Sequence, residues 1–319
     1  MARNRKGVRE WMRRARATGG RPGMIALMLF FSISWGCATA NVNHYNLGVE
    51  HYTRGRLPEA IEEYKEAIQQ DPRDLRPRFN LAVIYQDMGR NEEASKLYEL
   101  ILKAQPGHAP ALVNLAAIKE KEGDSSGAES LLRKAAEMDK DVCFPPSQYG
   151  FFLLRRDRPE DAEAAFKEAV RRDHSCANGY FGLGSLAVRK GDSEAALRYF
   201  QEAIHHNPSD LPAHLEAAEI LIALGNRAEA IRLLKRAATL DPHRAETYYL
   251  LGRLLGQERA WKDAEEALSK ALSLGAPRAE CSIELSQIYR RLAEEALDSC
   301  NPQALSPEKA PKAAGAASP

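Results

Sequence analysis

Residues 177–210 read ANGYFGLGSLAVRKGDSEAALRYFQEAIHHNPSD, and residues 211–244, LPAHLEAAEILIALGNRAEAIRLLKRAATLDPHR, follow without a gap. Laid over one another, the two stretches repeat a small residue (Gly184, Ala218), a glycine (Gly191, Gly225), an alanine (Ala196, Ala230), a large side chain (Phe200, Leu234) and another alanine (Ala203, Ala237). Working outward in both directions, the same 34-residue unit recurs seven times without insertion: 41–74, 75–108, 109–142, 143–176, 177–210, 211–244 and 245–278. Its twentieth position is alanine in every copy: Ala60, Ala94, Ala128, Ala162, Ala196, Ala230 and Ala264.

Offsets of four and three place position 20, the large residue at 24 and the small residue at 27 on one helix face. The small residue at position 8 lets a second helix approach that face closely. Gly55, Gly89, Gly123, Gly191 and Gly225 fall between the two helices, where a left-handed backbone costs glycine little. Asp71-Pro72, Gln105-Pro106, Asn207-Pro208 and Asp241-Pro242 end the second helix, because the residue before proline is driven out of the α region.

On these residues the chain resembles the tetratricopeptide repeat family. The resemblance implies an all-α, right-handed superhelical solenoid of seven helix hairpins. A composition with 28% charged residues agrees with it. Each hairpin buries its apolar stripe only against its neighbours, so the last copy requires a lid. Residues 279–298 are predicted to supply one as a capping helix, with Ile283, Leu285, Ile288, Tyr289 and Leu292 facing inward and Glu284, Gln287, Arg290, Arg291, Glu294 and Glu295 outward. Residues 299–319, rich in Ala, Pro and Ser, read as a disordered tail.

Residues 1–36 read as a signal peptide, a basic region followed by the apolar run Met24 to Trp35, which is too short to span a bilayer. Met1 and Met12 both serve as candidate starts. The region 37–40 offers two processing sites. Gly36-Cys37 resembles a bacterial lipobox, which implies lipidation at Cys37; Ser34 and Trp35 depart from that pattern. Ala38-Thr39-Ala40 has the form of an ordinary peptidase site, which would release a soluble periplasmic protein. Lipidation, with Ala38 beside the cysteine, resembles outer-membrane lipoproteins and implies a periplasm-facing protein tethered by acyl chains. Without residues 1–36 the chain holds 37 Lys plus Arg against 43 Asp plus Glu, a net charge of −6. An acidic body lacks the basic footprint of nucleic-acid binding.

Cys143 and Cys176 lie on one edge of the expected array, and in an oxidising compartment a bridge between them is open. The spacing between hairpins can exceed what a disulfide spans, so the sequence leaves the pairing undecided. A metal site from Cys143, His174 and Cys176 lacks a fourth ligand, and neither a metal nor another cofactor is expected. No phosphate loop, paired-carboxylate motif or nucleophile elbow occurs, so no catalytic residue and no small-molecule substrate are expected. His44, His51, His108 and His214 read as surface or seam residues.

Function then falls to the first helix of each hairpin, which in the family lines a concave groove. The resemblance implies a wall of Tyr45, Val49, Tyr52, Phe79, Val83, Val113, Phe151, Leu154, Phe181, Val188, Leu215, Ile222 and Tyr249, apolar enough to hold a partner peptide or helix. Position 6 adds the amides Asn46, Asn80, Asn114 and Gln148. They are suited either to clamping an extended backbone, as in the similar ladder of the O-linked N-acetylglucosamine transferase family, or to local hydrogen bonds. Tyr45 and Val49 replace the carboxylate clamp of chaperone-docking relatives. Pro145-Pro146 is expected to delay the fourth first helix and divide the wall into an amide half and an apolar half. The whole reads as a non-enzymatic envelope scaffold. It resembles the lipoproteins that escort type IV pilus secretin subunits; a soluble adaptor for a polysaccharide or peptidoglycan enzyme is the alternative.

Overall fold

The computed structural model describes residues 43–138 and 140–300, and it contains fifteen helices and no strand among them. The first copy forms α1 (His44–Thr53) and α2 (Leu57–Gln70); the next three give α3 (Leu75–Asp87) and α4 (Asn91–Ala104), α5 (Ala109–Lys121) and α6 (Ser125–Met138), α7 (Phe144–Arg155) and α8 (Pro159–Arg172). The last three give α9 (Ala177–Arg189) and α10 (Ser193–His206), α11 (Leu211–Ala223) and α12 (Arg227–Leu240), α13 (Ala245–Gln257) and α14 (Trp261–Ser273), before α15 (Arg278–Cys300). Two compact units result, one through Ile84 and one from Tyr85 onward. The signal peptide, Cys37, the cleavage region and the tail beyond Cys300 lie outside the described residues.

The repeat pattern is a packing rule. In the first unit the ring of Tyr64, at position 24, lies against Gly48 at position 8, and a Cβ there would sit 2.6 Å from the ring. The second unit repeats the contact with Phe166 on Gly150 and Phe200 on Gly184. Ala60, Ala94, Ala128, Ala162, Ala196, Ala230 and Ala264 are all fully buried, because any larger side chain would push the paired helices apart. In the second unit one cluster joins α5 to α9 around Phe152, Leu153 and Phe166, and another joins α11 to α15 around Leu234, Leu254 and Leu268.

The five inter-helix glycines take φ between 72° and 87°. Copies four and seven keep the left-handed turn without glycine, with Asp157 at φ 56° and Arg259 at φ 60°. The helix-ending residues Asp71, Gln105, Asn207 and Asp241 are extended, as the following proline requires. Pro145-Pro146 occupies the first turn of α7, which starts at Phe144, one residue later in its copy than α5, α9, α11 and α13.

The lid needs correcting. It spans Arg278–Cys300 rather than 279–298. Ile288 is buried and Leu285 and Leu292 are packed, but Ile283 is 58% exposed and Tyr289 50% exposed. The reason is register. Cys281 is fully buried like Thr247 and Ala213, each 34 residues before the next, and Ile288 is buried like Leu254. So α15 sits in the register of the first helix of an eighth copy, and among the described residues no second helix follows it. Tyr289 occupies position 11, on the side that a helix of its own copy would cover, and only its hydroxyl finds a partner, donating to Glu265 Oε1 at 2.9 Å. Ile283 occupies position 5, on the open face.

Candidate binding face

Positions 5, 9 and 12 of the first helices stand half in the core and half out of it. In the first unit Tyr45, Val49, Phe79 and Val83 are half-buried, while Tyr52 is 40% exposed. Tyr45 lies 6.1 Å from the Tyr64 ring, and the Arg76 guanidinium sits 4.7 Å over its face. In the second unit Phe151, Leu154, Phe181, Leu215, Ile222 and Tyr249 are half-buried, and Val188 is 44% exposed. Val113 is a correction: at 6% exposure it belongs to the core cluster of α5 to α9 and offers nothing to a partner. Small neighbours on α5, Ala109 and Ala116, let α7 close over it.

An aromatic run holds the middle of this face. Phe151 meets Phe166 edge-on at 4.9 Å and Phe181 at 6.2 Å, and Phe181 meets Phe200 at 5.4 Å. The buried rings of Phe166 and Phe200 thus hold the exposed ones at fixed angles. Along the border, Arg155 donates to Glu120 at 2.7 Å, and Arg189 donates to the Leu154 carbonyl at 3.2 Å and to Asp157 at 2.5 Å. The Arg155 guanidinium holds the Glu120 carboxyl below its ordinary range.

The amides have local work. Asn80 Nδ2 donates to Tyr64 Oη at 3.1 Å, and Asn114 Nδ2 donates to Tyr98 Oη at 3.0 Å. Tyr98 in turn donates to Gln86 Oε1 at 2.9 Å, and burial pushes its phenol up to about 12. Amide and tyrosine go together: the series loses its hydroxyl partner at Gln148, which follows Leu132, and gives way to Gly182 after Phe166, where a Cβ would lie 2.2 Å from the ring. Asn46, ahead of which no tyrosine stands in this register, is exposed.

Cys143 and Cys176 are bonded to one another, with Cα atoms 6.1 Å apart. Neither thiol remains for a metal. They stand at the N-caps of α7 and α9, and Gly179 and Gly182 let α9 lie close on Val170 and Phe166 of α8. Ser147, buried beneath, donates to the Cys143 carbonyl at 2.8 Å and lies 3.4 Å from Cys176 Sγ. Away from the candidate face, a cleft of about 750 Å³ between α12, α13 and α14 has Tyr248, Leu251 and Leu255 as its floor and Lys235, Asp263 and Lys270 at its rim. His214 is buried with Nδ1 2.8 Å from the Asp210 carbonyl, a seam residue.

Comparison with known proteins bears on the fold. A family model described as "Tetratricopeptide repeat" matches residues 51–118, 187–238 and 225–282, and two others of the same description match 153–212 and 109–142. No curated protein sequence matches. Among solved structures, the Pseudomonas aeruginosa pilF structure is similar over 68% of this chain and 100% of its own, at 22% identity and TM-score 0.57. Yeast Tom70 is similar over 79% of this chain and 54% of its own, at 19% identity and TM-score 0.58. The anaphase-promoting complex assembly Cut9-Hcn1 is similar over 76% of this chain and 50% of its own, at 16% identity and TM-score 0.56. The chain therefore spans about half the length of the Tom70 and Cut9-Hcn1 chains.

Proposed function

Because the chain belongs to the tetratricopeptide repeat family, we propose that it is a non-enzymatic scaffold of the bacterial envelope that holds a partner peptide or helix against its first helices. The observation that carries this is the apolar series of the second unit, half-buried at Phe151, Leu154, Phe181, Leu215 and Ile222 and exposed at Val188. Its side chains are anchored in the core on one side and presented to solvent on the other. Preorganised apolar surface of this kind loses little freedom on binding.

Two features support the envelope. The basic and apolar leader of residues 1–36, with Cys37 behind it, has the order of an export signal. Independently, the Cys143–Cys176 bond suits an oxidising compartment. In this reading Cys37 carries the lipid and the repeats face the periplasm.

Capture from detergent-solubilised envelope by the wild type and by Val188→Arg tests the binding face, since Val188 is exposed and its replacement spares the core. A partner retained by the wild type and lost from the variant is expected; a set of captured proteins identical for both overturns the reading. Secretin subunits or a polysaccharide or peptidoglycan enzyme among those lost would decide between the two assembly roles. Mass spectrometry of the mature N-terminus is expected to find acylated Cys37, and an unmodified start at Asn41 refutes the tether.

A further inference from the structure

The register of α15 extends the open face by one helix. Ile283 stands where Leu215 and Tyr249 stand in the two preceding first helices, so α11, α13 and α15 present an apolar line of their own. Carboxylates flank it. Glu216 and Glu219 lie on α11, and Glu280 and Glu284 on α15 are near enough to Tyr249 to oppose its ionisation. Among the described residues, no Lys, Arg or His lies within 4.0 Å of any of these four carboxylates. Several carboxylates elsewhere in the second unit are paired, Glu120 with Arg155, Glu129 with Arg158, Glu163 with Lys190 and Glu168 with Arg172. Two cations lie nearby: Arg253, set against the Tyr249 ring at 5.8 Å, and Arg291, which lines one depression together with Arg253 and Glu284.

Burial and repulsion from Glu219 both disfavour the charge on Glu216, so a cation brought by a partner has an unmet site to fill. The amides stop short of this region: position 6 holds Glu216, Leu250 and Glu284. Nothing there is suited to clamp an extended backbone, whereas a helix satisfies its own backbone and offers side chains alone. Resting on the reading of the first helices as a docking face, we infer that α11, α13 and α15 bind a basic amphipathic helix of a partner protein, its apolar stripe on Leu215, Tyr249 and Ile283 and its lysines or arginines on Glu216, Glu219 and Glu284. The charges set specificity and association, and the apolar line sets the position.

The test uses the full chain in detergent and fluorescence anisotropy of three labelled amphipathic helical peptides with one leucine stripe, their polar faces made of lysine, glutamate or glutamine. The lysine peptide is expected to bind roughly tenfold or more tighter than the glutamate peptide, with the gap closing as salt rises. Glu216→Gln with Glu219→Gln and Glu284→Gln is expected to remove about that factor for the lysine peptide, while the thermal unfolding curve stays in place. Ile283→Ala is expected to weaken both the lysine and glutamine peptides. Equal binding of the lysine and glutamate peptides, or an unchanged triple variant, overturns the inference. If the glutamine peptide binds as well as the lysine one and Val188→Arg abolishes it, the docking face stands and only the charge preference fails. If no peptide binds, the inference fails, and the envelope capture decides separately whether the docking face does.

Discussion

Removing the bond between Cys143 and Cys176 puts a number on how far the array depends on a covalent staple. The bond closes a loop with a sequence separation of 33, which holds α7, α8 and the turn between them. In the chain-entropy account, a loop of that size restricts the unfolded chain by ~12.5 cal/mol/K, or ~3.7 kcal/mol at 25 °C. Cys143→Ser with Cys176→Ser is the appropriate perturbation, because a single replacement leaves a free thiol in a buried site. Serine fits both positions, which cap helices and sit beside the Ser147 hydroxyl. The assay is urea unfolding followed by far-ultraviolet circular dichroism, with and without reductant. Oxidised wild type should exceed the double variant by ~2–4 kcal/mol, and reductant should erase the gap. In a repeat array the loss concentrates on the fourth hairpin, so it should show as an earlier, separate transition rather than a shift of the whole curve. Reductant that leaves the wild-type curve unmoved, or native protein in which both thiols react with a thiol reagent, would refute the reasoning.

Tyr98→Phe removes the hydroxyl that joins Gln86 to Asn114 and leaves an amide donor and an amide acceptor half-buried; a loss of ~1–2 kcal/mol is expected in the same urea assay, and a double-mutant cycle with Asn114→Ala should show coupling. Additive effects would mean the bond is not made in solution. Arg259→Gly relieves a left-handed backbone at φ 60°, worth ~1–2 kcal/mol, against the extra freedom glycine has when unfolded, ~0.5–1 kcal/mol; the net expectation is a small rise in melting temperature. A fall would show that the side chain contributes more than its conformation costs. Glu168 donates no proton at neutral pH and accepts hydrogen bonds from Arg171 and Arg172, which hold its carboxyl down to about 2. Its folded value lies below its unfolded one, so its contribution is complete above about pH 5 and disappears as pH falls toward 2. Glu168→Gln should flatten the wild-type loss of melting temperature in that window, and equal acid slopes for the two proteins would contradict it.

The hairpins were legible because their determinants are local and repeated. A small residue at position 8, a large one at 24 and an alanine at 20 describe one contact, and seven aligned copies separate that contact from chance. The turns were legible for a similar reason, since glycine before the second helix and proline after it act on their own backbone. Asp157 and Arg259 escaped notice because the left-handed turn is imposed there by the helices on either side, not by the residue that adopts it. The amide series was visible, but its use was not. Its partner hydroxyl sits 16 residues earlier at position 24, and only Tyr64 and Tyr98 supply one. A pairing of position 24 with position 6 of the next copy was present in the sequence, and it would have favoured the local role for Asn80 and Asn114.

Ile283 and Tyr289 show why periodicity alone misassigns a terminal helix. An apolar residue at helical spacing is inward only if a neighbour exists on that side, and a first helix in this array has three apolar directions: toward the preceding hairpin, toward its own second helix, and onto the open face. In α13 all three are realised by Leu251, Leu255 and Tyr249. In α15 the helix runs through the point where a turn stands in the earlier copies, with Ala293 at that position, and continues to Cys300, so among the described residues no second helix packs on it. Tyr289 is exposed because no described helix packs on its side, whereas Ile283 is exposed at a position that also stands half out of the core as Leu215 and Tyr249 in the two preceding copies. The two exposures therefore differ in meaning, and they predict different responses. Covering Tyr289 calls for a second helix of the chain's own kind. Covering Ile283 calls for a ligand shared with Leu215 and Tyr249, and replacing it should alter binding without altering the melting curve.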